Sequence, residues 1–311
     1  LRQQEQAGLL FALAGFAMLS VGDAVVKSMA GQWPGPAIAA LRYTLGVSGL
    51  GVALAFVEGR AGFAFPRARF QVLRGCAVSM ATVAFFSALA LMPLATATAI
   101  LFTAPIITAL LAALLLGEPL RRETWIASLV AFMGVLIVLR PNVATLGLAA
   151  LLPLVAATGN ALMVIGNRAV AGRGSALAMQ FTGAVIAAPI LVAVTLLGSA
   201  SGLKPFALHW PALSVVAKCA FIACSATTAH ALIYLGTTRA GAAMVAPMTY
   251  VQLLVATAIG WALFHEPPDL LALAGAGVIV ASGIYLWRSS LAHNAQSGVG
   301  EPIGPLTAAS D

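Results

Sequence analysis

Long apolar runs alternate with short polar joins along the whole chain. A helix of about 20 apolar residues crosses roughly 30 Å of hydrocarbon. Ten runs approach that length: Gly8–Met29, Ala37–Val57, Val72–Met92, Ala95–Leu116, Thr124–Leu139, Leu146–Val170, Ala176–Leu197, Leu213–Gly236, Gly241–Phe264 and Leu270–Trp287. Proline and glycine mark the joins, as at Trp33-Pro34-Gly35-Pro36, Met92-Pro93, Arg140-Pro141, Gly172-Arg173-Gly174 and Pro267-Pro268. The pattern predicts an all-α integral membrane protein with ten transmembrane helices.

Two of the runs read alike. Pro105–Leu116 leads into Gly117-Glu118-Pro119, and Leu253–Phe264 leads into His265-Glu266-Pro267. The two glutamates stand 148 residues apart, and each is followed by one more apolar run. Gly22-Asp23-Ala24 in the first run is echoed by Gly159-Asn160-Ala161 in the sixth, and Lys27 loosely by Arg168. The chain therefore divides into a first five-helix repeat over 1–143 and a second over 144–289. An odd number of spans per repeat inserts the two in opposite senses, so the expectation is two inverted five-helix repeats related by an axis in the membrane plane. Residues 290–311 are expected to form a disordered cytoplasmic tail.

Composition agrees with lipid rather than water as the solvent. Hydrophobic residues make up 61% of the chain and charged residues 8%, against roughly 25% charged in soluble domains. The net charge of +7 needs no nucleic-acid partner. With the N-terminus inside, Arg60, Arg67, Arg69, Arg74, Arg121, Arg122, Arg168, Arg173 and Arg239 fall on the cytoplasmic side. Only Lys27, Arg140, Lys204 and Lys218 fall near the outer one. That asymmetry puts both termini in the cytoplasm of a multi-pass protein of the bacterial inner membrane. Ser28-Met29-Ala30 resembles a cleavage site, but Asp23 and Lys27 stand where a signal peptide is neutral, so the first span is expected to be retained. Cys76, Cys219 and Cys224 lack metal or redox spacing and read as small buried residues.

Ionisable and polar groups inside spans carry the chemistry. Asp23 and Lys27, four apart, share a helix face and form a candidate charge pair or gate. Arg42 either receives a substrate carboxylate, snorkels outward, or joins Asp23. His230 is the histidine placed mid-span; it either meets substrate or sits satisfied in the core. Asn160 is the first choice for a substrate contact, its alternative being an interhelical clamp. Ser79, Thr82 and Phe86 follow a helical stripe in span three. Tyr234 lies in span eight, and Tyr250 and Gln252 follow Pro247 in span nine, facing different ways. Ordinary helix packing is the competing reading for all of them. A cavity lined by spans one, three, four, six, eight and nine is expected, with no polar stripe in spans two and ten. Glu118 and Glu266 read as helix caps at membrane edges, not as proton carriers. No catalytic triad, nucleotide loop, cofactor motif or metal spacing is present, so a non-enzyme is expected.

The ordered set Gly22-Asp23 with Lys27, Arg42, Leu73-Arg74-Gly75, Leu94-Ala95-Thr96-Ala97-Thr98-Ala99, Pro105, Leu116-Gly117-Glu118, Ala246-Pro247 and Phe264-His265-Glu266 resembles the EamA-type branch of the drug/metabolite transporter superfamily. His265 and Leu253 depart from that pattern. The resemblance implies a basket of inverted five-helix repeats and a carrier that alternates access to a small-molecule substrate. Within the family the chain is similar to bacterial amino-acid and metabolite exporters, aromatic amino acid exporters among them. Spans three and four are also similar to S-adenosylmethionine uptake carriers. An intramembrane enzyme and an ion channel are the readings from other classes. Oligomeric state is left open.

Overall fold

Apolar runs of this length form helices because lipid offers no partner for a free backbone N–H or C=O. A computed structural model describes residues 2–116, 122–170, 173–202, 206–240 and 245–296. It is helical from end to end, with no strand among the described residues. The elements are α1 (Arg2–Lys27), α2 (Gly35–Val57), α3 (Ala68–Leu91), α4 (Leu94–Leu101), α5 (Ala104–Leu116), α6 (Arg122–Leu146), α7 (Leu152–Val170), α8 (Ala176–Ala200), α9 (Leu213–Ala240), α10 (Val251–Phe264) and α11 (Leu270–Gln296). Short 3-10 turns cover Gly59–Phe63, Gly147–Leu151 and Ala246–Tyr250.

Eight helical stretches are long and apolar enough to cross a membrane, and Trp125–Val138 and Met248–Phe264 are shorter apolar helices. These coincide with the ten runs read from the sequence. The fourth run is broken: α4 ends at Leu101, and α5 restarts at Ala104 just before Pro105, which cannot donate a backbone hydrogen bond. The ninth run begins with a 3-10 turn that carries Pro247. Glu118, Lys204 and residues 297–311 lie outside the described residues, and α11 continues to Gln296, past the expected start of the tail.

The tightest helix pairings are α1 with α9, α3 with α7, α2 with α8, and α6 with α11. Small residues permit them. A Cβ on Gly159 of α7 would stand 2.7 Å from the Ala77 carbonyl oxygen, and one on Gly15 of α1 would stand 2.7 Å from the Ala229 oxygen. Gly134 of α6 and Gly275 of α11 face each other in the same way. With no hydrophobic driving force between helices in lipid, such close backbone approach supplies the packing. The main buried cluster holds Met29, Ile38, Phe85, Leu89, Leu94 and Leu191, near the end of the bundle where α1 and α3 finish. Of the three cysteines only Cys219 is buried. Cys76 and Cys224, expected to be buried, are exposed on the bundle surface, where an apolar thiol suits lipid as well as it suits a core.

Candidate functional site

Two features at opposite ends of the bundle define the site. One is a cavity of about 400 Å³ whose walls come from α2, α3, α7, α8, α9 and the join before α8. It runs from that join, at Val170, Gly174 and Ala176, inward to Arg42, Ala226 and His230. The walls thus include spans two and seven and omit spans one, four and nine, unlike the expected set. Span two lacks a polar stripe, yet Arg42 and Tyr43, with Gly46 and Leu50 further along, turn one face of α2 to the void.

The polar groups of the cavity differ sharply in how they are satisfied. Arg74, near the mouth, is fully engaged. Its Nε donates to Asn167 Oδ1 at 2.5 Å, its Nη1 to Gln71 and to Thr182 Oγ1 at 3.5 Å, and its Nη2 to the Met179 carbonyl at 3.0 Å. This network ties α3 to α7 and α8 around a buried guanidinium. Arg42 is different. Its guanidinium lies over the Tyr43 ring at 5.0 Å and the Phe86 ring at 5.5 Å, and it makes no hydrogen bond or ion pair among the described residues. An arginine within a span costs about 2.5–3.5 kcal/mol on insertion scales. Two ring faces, each worth about 0.5–2 kcal/mol, offset part of that. His230 turns an open surface to the same void, beside Thr227. No aspartate or glutamate is among the lining residues. Asp23 is outside that lining, in a separate void of about 20 Å³ shared with Arg42, Phe86, Ser225 and Ala226, and makes no ion pair with Arg42 among the described residues.

The second feature closes the other end. Lys27 at the end of α1 pairs with Glu266 at 2.8 Å, not with Asp23. Its Nζ also donates to the Leu89 and Met92 carbonyls at 3.2 and 2.7 Å, where α3 leaves its last carbonyls free. The other Glu266 oxygen accepts from the Leu94 backbone N–H at 3.1 Å, at the start of α4. Glu266 is therefore a helix cap, as its Glu-Pro context suggests, but for α4 rather than for the helix after it, whose first turn is held by Asp269. Two bonds cross the same end: Trp33 Nε1 donates to the His209 carbonyl at 2.9 Å, and the His209 ring Nε2 lies 3.0 Å from the Gln32 carbonyl oxygen.

Of the residues singled out from sequence, Arg42 and His230 meet in the cavity. Thr82 stands one shell away, hydrogen-bonded to the Tyr43 hydroxyl at 3.2 Å, and Phe86 backs Arg42. Ser79 bonds its own helix at Gly75. Tyr250 stacks edge-on against Phe102 at 5.5 Å, and Gln252 bonds Thr249 at 3.0 Å. Tyr234 faces outward, 52% exposed, and Asn160 is half-buried away from the lining. Tyr43, Arg74, Asn167 and Gln180 were missed. Asn167 follows Asn160 by seven residues, two turns along the same face of α7, and that spacing was its signal.

The bundle thus has a mostly apolar cavity with a few polar groups at one end and an ion-paired latch at the other. Residues 6–140 match the model of the EamA-like transporter family. The S-adenosylmethionine uptake transporter of Rickettsia bellii (strain RML369-C) is 25% identical over 218 residues, 70% of this chain and 71% of that protein. The pseudopaline exporter CntI of Pseudomonas aeruginosa (strain UCBPP-PA14) is 26% identical over 287 residues, 91% of this chain and 97% of that protein. A solved crystal structure superimposes with a TM-score of 0.59 over 94% of this chain and 99% of its own, at 18% identity, a likeness of fold alone. The chain is thus similar to membrane transporters, with the family match confined to its first 140 residues.

Proposed function

We propose that this protein is a secondary carrier of the bacterial inner membrane that moves amino acids or similar small metabolites by alternating access, in the direction of export. The observation that carries the reading is the pairing of a cavity open at one end with a charged latch at the other. Basic residues cluster at the open end, among them Arg60, Arg67, Arg69, Arg74 and Arg173, which supports a cytoplasmic mouth and an inward-facing state.

Alternating access needs two halves that exchange shapes, and several contacts support an inverted repeat. Phe102 and Tyr250, which touch, are 148 residues apart, the spacing of Glu118 and Glu266. Equivalent residues meet only near an axis that exchanges them. Gly22 of α1 lies against Ser225 of α9 as Gly159 of α7 lies against Ala77 of α3. Ser225 and Ala77 are again 148 apart, and Gly22 and Gly159 are the sequence echo noted above. The α1–α9 and α3–α7 pairings are mates under that exchange, while α2–α8 and α6–α11 each map onto themselves.

Proteoliposomes loaded with labelled amino acids test the reading. Saturable flux of at least one is expected, and no saturable flux of any would overturn the substrate claim. Uptake of S-adenosylmethionine is a second reading, favoured by the Rickettsia relatives. Its sulfonium would find no carboxylate in the lining, while its α-carboxylate would suit Arg42 as an amino acid's does, so flux of labelled S-adenosylmethionine in the same vesicles separates the two readings.

A further inference from the structure

We infer that the cavity holds its solute by a carboxylate on the Arg42 guanidinium, and so selects small organic acids and amino acids while rejecting solutes whose only charge is positive. The inference rests on the carrier reading above and names the chemistry of its site. Two guanidiniums face the cavity, and hydrogen bonding separates them. Arg74 is occupied by Asn167, Gln71, Thr182 and the Met179 carbonyl, so its fork is spent on holding α3, α7 and α8 together. Arg42 offers a fork with no protein acceptor among the described residues. Its plane is supported by the Tyr43 and Phe86 rings, and neither ring competes for its N–H groups. A planar fork held on aromatic faces matches a carboxylate bidentately.

Charge balance points the same way. The lining holds Arg42, Arg74 and His230 without an aspartate or glutamate. Asp23 shares a separate small void with Arg42 and Phe86 and is not among the lining of the main cavity, so it tempers the positive field from outside that lining. Gln180 and Thr227 remain for the rest of the solute, and Val78, Met163 and Ala223 supply apolar wall. A cation within a span, with unspent donors turned to a cavity, is a binding group for an anion.

The test reads Arg42 directly. The protein in lipid nanodiscs is treated with phenylglyoxal, and arginine adducts are mapped by mass spectrometry with each L-amino acid or its amide present. At least one acid is expected to slow labelling of Arg42 tenfold or more, while its amide leaves the rate unchanged. Arg74 serves as the engaged internal reference. In proteoliposomes Arg42→Gln is expected to lower flux of that acid at least tenfold, and Arg42→Lys to lower it less. Equal protection by acid and amide, or protection by none of the acids, overturns the anchor, as does wild-type flux in Arg42→Gln. Protection measured on the unaltered protein does not depend on the variant folding. Wild-type flux with an unprotected Arg42 sinks the anchor and leaves the carrier reading standing. A protected Arg42 without flux sinks the carrier reading and leaves the anchor.

Discussion

Lys27 shows how a single residue is reassigned by its neighbours. Spacing four along a helix pairs it with Asp23, but its ammonium reaches the end of the helix, where Glu266 and the free carbonyls of Leu89 and Met92 converge. Both side chains are mostly shielded, at 10% and 23% exposure, so removing one partner strands the other. Breaking a buried pair costs about 3–5 kcal/mol, and partial exposure puts this one toward or below the lower figure. Lys27→Met and Glu266→Gln are each expected to lower the melting temperature. The exchanged pair Lys27→Glu with Glu266→Lys should stay low, because the lysine would lose the α3 carbonyls and the glutamate the Leu94 N–H. Thermal unfolding in detergent checks this; full recovery in the exchanged pair would show that charge attraction alone makes the latch.

Among the elements, the glycine contacts decide which helices touch. Ala is ordinarily the better helix former, by about 1 kcal/mol over Gly. At Gly159 that preference is reversed, because a Cβ would press on the Ala77 oxygen and the Ala81 nitrogen at 2.7 and 2.8 Å. Gly159→Ala is expected to lower the melting temperature by forcing α3 and α7 apart, an overpacking cost of about 1–3 kcal/mol. Gly277→Ala, with nothing within 4 Å, should leave it unchanged or raise it. The same measurement on both variants separates packing from propensity. The broken α4–α5 run and the 3-10 start of the ninth run meet through Phe102 and Tyr250. Phe102→Ala should therefore weaken the contact between the α4–α5 break and the start of α10, read as faster proteolysis between α5 and α6 than in the parent.

At the scale of the molecule, the cavity and the latch cannot both be open without a path through the membrane. In a variant with Cys76 and Cys224 changed to Ser, a cysteine at Gly174 is expected to react with an impermeant maleimide from the cytoplasmic face. A cysteine at Met92, 3% exposed behind Lys27, should stay unreactive from either face. Adding Glu266→Gln should release reactivity at Met92 from the outer face severalfold and slow that at Gly174, as the population shifts toward the opposite state. Reactivity rising at both positions together would mean a leak rather than an alternation.

The apolar runs and the proline breaks were legible along the chain. Each depends on consecutive residues: hydropathy, helix propensity and a missing N–H act within a few turns. Arg42 and His230 were legible as costly groups in spans, and that cost is local too. Their meeting was not. Arg42 on α2, Arg74 on α3, Asn167 on α7, Gln180 on α8 and His230 on α9 share one void because helices remote in sequence pack together, as where Gly159 meets Ala77 and Gly15 meets Ala229. The partner of Lys27, 239 residues away, was settled likewise, since ion pairing follows distance in space and only the packed bundle sets that distance.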